Sequence, residues 1–83
     1  MIRLEAVRSV VGDVLQLGER AQYLDRESEL VGAIPEFDSM AVVAVVTGIE
    51  DAFGIEVDDE EISAETFATL GTLTDFVNAK YRG

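Results

Sequence analysis

The stretch of sequence that decides the fold is residues 38–54, which read DSMAVVAVVTGIEDAFG. Asp38 and Ser39 are residue types that cap the free N–H groups at the start of a helix. Gly54 can adopt the left-handed conformation that ends one. Between them, apolar residues recur at three- and four-residue spacing. This pattern predicts a helix that begins at Asp38 or Ser39 and ends near Phe53.

A helical wheel predicts two unlike faces for this helix. The residues predicted to face the core are Val42, Val43, Val46, Ile49 and Phe53. The residues predicted to face outward are Ala41, Ala44, Val45, Gly48, Asp51 and Ala52. The outer face is small and smooth, unlike the Lys- and Glu-rich outer face of an ordinary surface helix, so another molecule can approach it closely.

The N-terminal part of the chain is predicted to be one long helix followed by a long loop. Apolar side chains recur at helical spacing over residues 2–17, and Gly18 is a natural stop for that helix. In residues 18–37, apolar residues no longer recur at helical spacing. We expect an ordered loop there, and a short helix near residues 26–31 is the alternative.

The C-terminal part is predicted to contain one short helix and one longer helix. Asp58 and Glu61 have the spacing of a capping box, which opens a short acidic helix ending near Ala64. Thr69 caps a last helix over residues 70–81. The residues of that helix predicted to face inward are Leu70, Leu73, Phe76, Val77 and Tyr81.

The fold class that follows is all-α. We expect a small four-helix bundle with three longer helices, one short helix and a long first loop. The chain has 83 residues, and a chain of this length has room for one hydrophobic core. Residues 1–83 are therefore predicted to form a single domain.

The charge of the chain restricts its partners. Seventeen Asp and Glu against six Lys and Arg give a net charge of −11. This charge opposes binding to nucleic acid or to an anionic membrane and favours encounter with proteins that present basic patches. The N-terminus has no targeting pattern, and the longest apolar run, residues 40–46, is too short to span a bilayer. We expect a monomeric, cytoplasmic protein that is not a membrane protein.

The chain contains no Cys and no His, which excludes disulfides, thiolate nucleophiles and the commonest general base and zinc ligand. Ser39 is the residue that we consider as a site of covalent modification. A phosphate linked to it would face the free N–H groups and the positive end of the helix, although Asp38 and Glu36 would repel it. Local physics therefore permits a phosphate-linked group on Ser39, and it equally permits a plain helix cap.

Two motifs in this order give the chain a family resemblance: DSM at residues 38–40 and FGIEVDDEEI at residues 53–62. With the apolar helix between them, nearly the whole chain resembles an acyl carrier protein. In that family, a phosphopantetheinyl transferase uses coenzyme A to attach 4′-phosphopantetheine to a serine in an Asp-Ser-Leu motif. The resemblance implies that Ser39, flanked by Asp38 and Met40, carries this arm. It also implies that the arm holds an acyl group as a thioester and that the protein itself is a carrier and not an enzyme.

The resemblance further implies docking onto acyl-transferring or acyl-activating enzymes that present basic patches. The residues expected to make these contacts are Ala41, Ala44, Glu50, Asp51, Glu60 and Glu61. We expect both Glu50 and Asp51 to be exposed, so that reversing their charge disturbs docking more than folding.

The chain departs from the family pattern in ways that indicate a specialised carrier outside primary fatty acid synthesis. The approach to the serine is lengthened, over residues 31–39, and Ala41 and Ala44 stand where acids are usual. Fatty-acyl, polyketide-like and other specialised pathways all remain open. A peptidyl or aminoacyl carrier of the same fold is an alternative.

Two alternative hypotheses assign the chain to other functional classes. The first is a cofactor-free acidic helical adaptor, in which Ser39 is only a cap. The second is a calcium-binding module built on Asp51, Glu56 and the acids of residues 58–61, but Gly54 is out of register with an EF-hand loop, so no metal site is predicted.

Overall fold

The computed structural model describes residues 2–30, 39–63 and 65–82. Three α-helices carry the fold: α1 (Leu4–Leu15), α2 (Ser39–Phe53) and α3 (Leu70–Arg82). A 3₁₀ helix, Gly18–Tyr23, follows α1, and a single 3₁₀ turn, Asp59–Glu61, lies between α2 and α3. The all-α fold with three long helices is therefore confirmed.

The first helix ends earlier than predicted. Gln16, rather than Gly18, caps α1 in the left-handed conformation, with φ of 55°, and its N–H group donates to carbonyl oxygens of the last turn. Gly18 does have a positive φ of 59°, but it opens the 3₁₀ helix Gly18–Tyr23. Gly12 allows this 3₁₀ helix to lie close to α1, because a Cβ at position 12 would be 2.7 Å from the Cβ of Ala21.

The rest of the first connection is extended where the structure describes it. The alternative of a short helix near residues 26–31 is wrong up to Leu30, because residues 26 and 27 form a turn and Glu29 makes an isolated antiparallel bridge with Thr69. Leu30 is fully buried. Residues 31–37, the remainder of the predicted loop, lie outside the described residues.

The hydrophobic core lies between the three helices and is closed on one side by the connections. Its largest fully buried side chains are Phe67, Leu30, Ile49, Leu70, Leu73, Val7, Val11, Val45 and Val77. Each long helix contributes, as its apolar periodicity requires. In the described part of the chain, no helix is both long enough and apolar enough to cross a membrane.

Helix α2 is rotated relative to the predicted wheel. Val45, predicted to face outward, is fully buried, whereas Val43, predicted to face the core, is 61% exposed. The cause is α1: a Cβ on Gly48 would lie 3.0 Å from the Cγ2 of Val14, so the small side of α2 packs against α1. The smooth face predicted for docking is therefore partly an interhelical contact.

The local signals of the C-terminal half are mostly confirmed. Thr69 caps α3, since its hydroxyl oxygen accepts the N–H of Thr72 at 3.1 Å. The N–H of Asp58 donates to the Glu61 carboxylate at 3.1 Å, which is one half of the predicted capping box, although only a single 3₁₀ turn follows and not a helix reaching residue 64. Tyr81, predicted to face inward, is 51% exposed.

The N-terminal segment is fixed to α3 by one side chain. The N–H of Ile2 donates to Oδ1 of Asn78 at 2.7 Å, and Nδ2 of Asn78 donates to the carbonyl oxygen of Ile2 at 3.0 Å. Nδ2 also lies 3.2 Å from the carbonyl oxygen of Thr74. An amide can satisfy both backbone groups of one residue because it carries a donor and an acceptor side by side.

Candidate functional site

Ser39 is the first residue of α2. Its side chain and the whole of Asp38 lie outside what the structure describes, so the helix itself defines the position. No acid occupies the first turn of this 15-residue helix. The unpaired N–H groups and the positive dipole end therefore meet no carboxylate from that turn. These groups would attract a phosphate linked to Ser39, whereas Asp38 and Glu36 in the preceding sequence would repel it.

An uncharged surface continues from Ser39 along α2. We call Met40, Val43, Ala44 and Thr47 the α2 outer face, because all four are exposed and lie at helical spacing on one side. Met40 is 82% exposed. The hydroxyl of Thr47 donates to the carbonyl oxygen of Val43 at 3.0 Å, which turns that polar group onto the helix. This face therefore presents mainly apolar atoms.

The two alanines predicted to contact partners lie in different environments. Ala44 belongs to the α2 outer face and is exposed. Ala41 is half-buried and packs against the hydrophobic core. Of the two, Ala44 is the one whose side chain a partner could reach without displacing the core.

Glu50 and Asp51 also differ, although both were expected to be exposed. Asp51 is exposed. Glu50 is half-buried, and its Oε2 accepts the N–H of Val57 at 2.8 Å. The expectation is therefore wrong for Glu50, because this carboxylate holds the connector after α2 in place.

The 3₁₀ turn brings Glu61 against the C-terminal part of α3. Oε1 of Glu61 lies 2.7 Å from Nζ of Lys80, and each side chain is about a third exposed. The hydrogen bond from Lys80, aided by the N–H of Asp58, lowers the pKa of Glu61, and the same hydrogen bond raises the pKa of Lys80. Glu60 is exposed. Glu61 and Lys80 thus form an ion pair within the fold, whereas the Glu60 side chain is accessible to a partner.

Among the described residues of α2 and of the segment that follows it, the exposed acids lie away from Ser39. Residues 27–79 contain no Lys or Arg, and Asp51, Glu56, Asp58 and Glu60 are exposed at the end of α2 and after it. With a rise of 1.5 Å per residue, Asp51 lies about 18 Å along the helix axis from Ser39. Among the described residues, no three acids are close enough together to hold a metal ion.

Two of the other serines are occupied by local hydrogen bonds. Oγ of Ser28 accepts the N–H of Asp25 at 2.8 Å and lies 3.2 Å from its carboxylate. Oγ of Ser63 accepts the N–H of Thr66 at 3.2 Å. Both serine oxygens therefore cap turns.

Sequence reasoning missed Val43 as part of the exposed surface beside Ser39. A signal was present, since Met40, Val43 and Thr47 lie three and four residues apart and so share one side of the helix. The wheel alone did not show that this side faces away from α1.

The comparisons with known proteins agree with this arrangement. A family model described as a phosphopantetheine attachment site matches residues 5–77. The chain is also similar to a holo acyl carrier protein from Nitrosomonas europaea, whose structure was determined by solution NMR. The two sequences are 57% identical, the match covers 100% of both chains, and the TM-score is 0.91.

Proposed function

Because the chain belongs to the acyl carrier proteins, which are defined by a phosphopantetheine attachment domain, we propose that Ser39 is the residue to which 4′-phosphopantetheine is attached. The observation that carries this proposal is the place of Ser39 at the first position of α2, inside the matched residues 5–77. Asp38 and Met40 flank the attachment point.

The residues around Ser39 suit such an arm. The first turn of α2 contains no acid, and its N–H groups and positive dipole end favour a phosphodiester on Ser39 against the repulsion of Asp38 and Glu36. Beyond the phosphate, Met40 and Val43 offer exposed apolar surface. The cofactor supplies a terminal thiol, which a chain without cysteine lacks.

Ser28 and Ser63 are weaker candidates. Modification of either hydroxyl would disturb the turn that it caps, because each oxygen accepts a backbone N–H group. Ser9 lies within α1, where it has no helix N-terminus beside it. The chemistry of a phosphate-linked arm therefore favours Ser39 among the four serines.

The proposed role is to hold an acyl group as a thioester and to present it to partner enzymes. The partners are a phosphopantetheinyl transferase and acyl-transferring or acyl-activating enzymes with basic patches, since exposed acids such as Asp51 and Glu60 attract such surfaces. We propose a single-domain, cytoplasmic monomer that is modified by enzymes and does not itself catalyse a reaction.

The pathway is proposed to be fatty-acyl, polyketide-like or another specialised biosynthesis. Support for a specialised carrier comes from the α2 outer face, which is apolar where acids near the serine are usual in carriers of primary fatty acid synthesis. Val43 and Ala44 are exposed there, and no acid precedes Glu50 in α2.

The experiment incubates the purified apo protein with coenzyme A and a promiscuous phosphopantetheinyl transferase and then weighs the intact chain. We expect wild type to gain the mass of one phosphopantetheinyl group and Ser39→Ala to gain none. Ser63→Ala is the matched control and should gain the group as wild type does. No gain on wild type, or a gain on Ser39→Ala, would contradict the proposal and leave the cofactor-free adaptor.

A further inference from the structure

Lys80 is the only lysine among the six Lys and Arg residues of the chain, so it carries the only side-chain amine that an acyl donor could convert to an amide. It lies in the C-terminal part of α3. Its Nζ atom donates to Oε1 of Glu61 at 2.7 Å, and the two side chains are 28% and 32% exposed. The amine is therefore engaged in a contact between two elements of the fold.

The carboxylate that meets this amine is itself held in place. Oε1 of Glu61 also accepts the N–H of Asp58 at 3.1 Å, and the carbonyl oxygen of Glu61 accepts the hydroxyl of Thr66 at 3.2 Å. Both contacts fix the residue before Lys80 is considered. The ion pair therefore loses less side-chain entropy on forming than a pair of two free surface side chains does.

The acids around Lys80 keep its amine protonated. The hydrogen bond from Nζ to Glu61 raises the pKa of Lys80, and the charges of Glu61, Asp58 and Glu56 act in the same direction, whereas partial burial opposes them. A lysine amine attacks a carbonyl carbon only in its neutral form, so a raised pKa lowers the reactive fraction. The Glu61 contact thus both occupies the amine and reduces its nucleophilicity.

The other side of Lys80 is accessible to a ligand. It borders an open groove between the end of α2 and α3, lined by Gly54, Ile55, Glu56, Ala79, Lys80 and Tyr81. Tyr81 is 51% exposed, and Ala79 is exposed as well. An acyl donor could therefore approach the amine along partly apolar surface once Glu61 releases it.

We infer that Lys80 is a site of acylation by acyl thioesters and that its ion pair with Glu61 limits the rate of this reaction. The inference rests on the proposed function, because a chain that carries acyl thioesters is continually exposed to acyl donors. In the step itself, the ammonium first gives one proton to water. The neutral Nζ then attacks the thioester carbonyl, a C–N bond forms, the C–S bond breaks, and the second proton leaves with the thiol.

Acylation of Lys80 would change the surface around it. The amide product carries no charge, so Glu61 would lose its ionic partner on α3. The turn that contains Glu61 also presents the exposed Glu60. A modified chain would therefore be more acidic and less tightly held at one part of the surface that we propose for docking. The ion pair protects the carrier against this change.

The test compares Glu61→Gln with Glu60→Gln. Both variants lose one negative charge at neighbouring positions, but the Glu61 carboxylate bonds Lys80, whereas Glu60 is exposed. Each full-length chain is incubated with acetyl-coenzyme A at mildly alkaline pH, and acetylation of Lys80 is measured over time by peptide mass spectrometry. We expect Glu61→Gln to be acetylated about threefold faster than wild type, as suits a partly exposed ion pair, and Glu60→Gln to stay close to wild type.

Two further measurements separate the ion pair from a general loosening of the fold. Melting curves establish that the variants are folded at the assay temperature. Added salt should narrow the difference in rate between wild type and Glu61→Gln, because it screens the pair in wild type and has no pair to screen in the variant. If Glu61→Gln does not fold, Glu61→Asp keeps the charge but withdraws it by one methylene group, and it should speed acetylation to a smaller extent.

The outcomes separate this inference from the proposed function. Equal rates in wild type and a folded Glu61→Gln, an equal acceleration in Glu60→Gln, or no acetylation of Lys80 in any variant overturns the inference while attachment at Ser39 stands. Absence of phosphopantetheine transfer to Ser39 overturns the proposed function, but the Lys80 assay remains interpretable because free acetyl-coenzyme A is its donor. A difference in rate that salt leaves unchanged would assign the effect to local packing and also overturn the inference.

Discussion

Val45→Ala and Val43→Ala test the orientation of α2 with one change of chemistry at two nearby positions. Val45 is fully buried, and Val43 is 61% exposed. Removing two methyl groups from a core position costs about 0.8 kcal/mol for each carbon, and the cavity left behind adds roughly 1 kcal/mol. Alanine is the better helix former by roughly 0.5 kcal/mol, which offsets part of this cost. We expect Val45→Ala to lower the free energy of unfolding by about 2 kcal/mol.

The control substitution, Val43→Ala, should change the stability of the protein very little. Val43 loses little buried area on truncation, so the gain in helix propensity decides, and the change should stay within about 0.5 kcal/mol of wild type. For a domain of this size, 1 kcal/mol corresponds to a shift of roughly 4–8 °C in Tm. Val45→Ala should therefore melt roughly 8–16 °C below wild type, and Val43→Ala close to wild type.

The assay is equilibrium urea unfolding followed by far-ultraviolet circular dichroism, with the slope of the transition compared between variants. Equal slopes justify reading the difference as a change in stability. A large cost at Val43 together with little cost at Val45 would show that α2 presents the face predicted from the wheel and would refute the packing of Gly48 against α1.

Three other substitutions test contacts that fix the fold and the acidic surface. Asn78→Ala removes both hydrogen bonds to the N-terminal segment and should cost roughly 1–3 kcal/mol in urea unfolding; a loss below about 0.5 kcal/mol would count against the contact. Lys80→Gln should destabilise the protein at neutral pH, and its difference from wild type should shrink as pH falls below 4.5, the ordinary pKa of Glu61, because a lowered carboxyl pKa contributes stability above that value and loses it in acid; a difference constant with pH would contradict this. Asp51→Lys should slow association with the transferase at low salt without changing stability, whereas Glu50→Lys should also lose stability; equal stability losses would contradict the distinction.

The elements that could be predicted from the sequence are those set by local chemistry. The bounds of α2 follow from a cap-forming pair before it and from Gly54 after it, whose φ is 67°. Thr69 caps α3 through a hydrogen bond to a residue three positions later. Such signals are contained within a few residues and need no knowledge of the neighbours.

What could not be predicted depends on contacts between distant parts of the chain. A helical wheel groups residues by side, but it does not say which side meets another helix; Gly48 settles that through its contact with Val14. The left-handed Gln16 was missed because the prediction took Gly18 as the residue that ends the helix. The pairing of residues 26–30 with residues 68–71 was missed because it forms through backbone groups that every residue type carries.

In the candidate site, too, some features could be predicted from the sequence and others could not. The position of Ser39 at a helix start follows from sequence, since the residues before and after it differ sharply in polarity. The different roles of Glu50 and Asp51 do not, because only the structure places the N–H of Val57 against one carboxylate and leaves the other in solvent. Exposure of an acid on a helix is a tertiary property whenever a following loop folds back.

The distance between the exposed acids of residues 51–60 and Ser39, the proposed attachment site, predicts two stages in partner binding. Acids at the far end of α2 act over a Debye length of about 10 Å at 0.1 M salt, so they bias the direction from which a basic partner arrives. Met40 and Val43 are then expected to make the close contact near Ser39, because burial of their exposed side chains lowers the free energy of the complex. Added salt should therefore slow association with the partner while leaving its dissociation rate nearly unchanged, since apolar contacts are not screened. A dissociation rate that rises as steeply with salt as the association rate falls would show that charge also holds the bound complex.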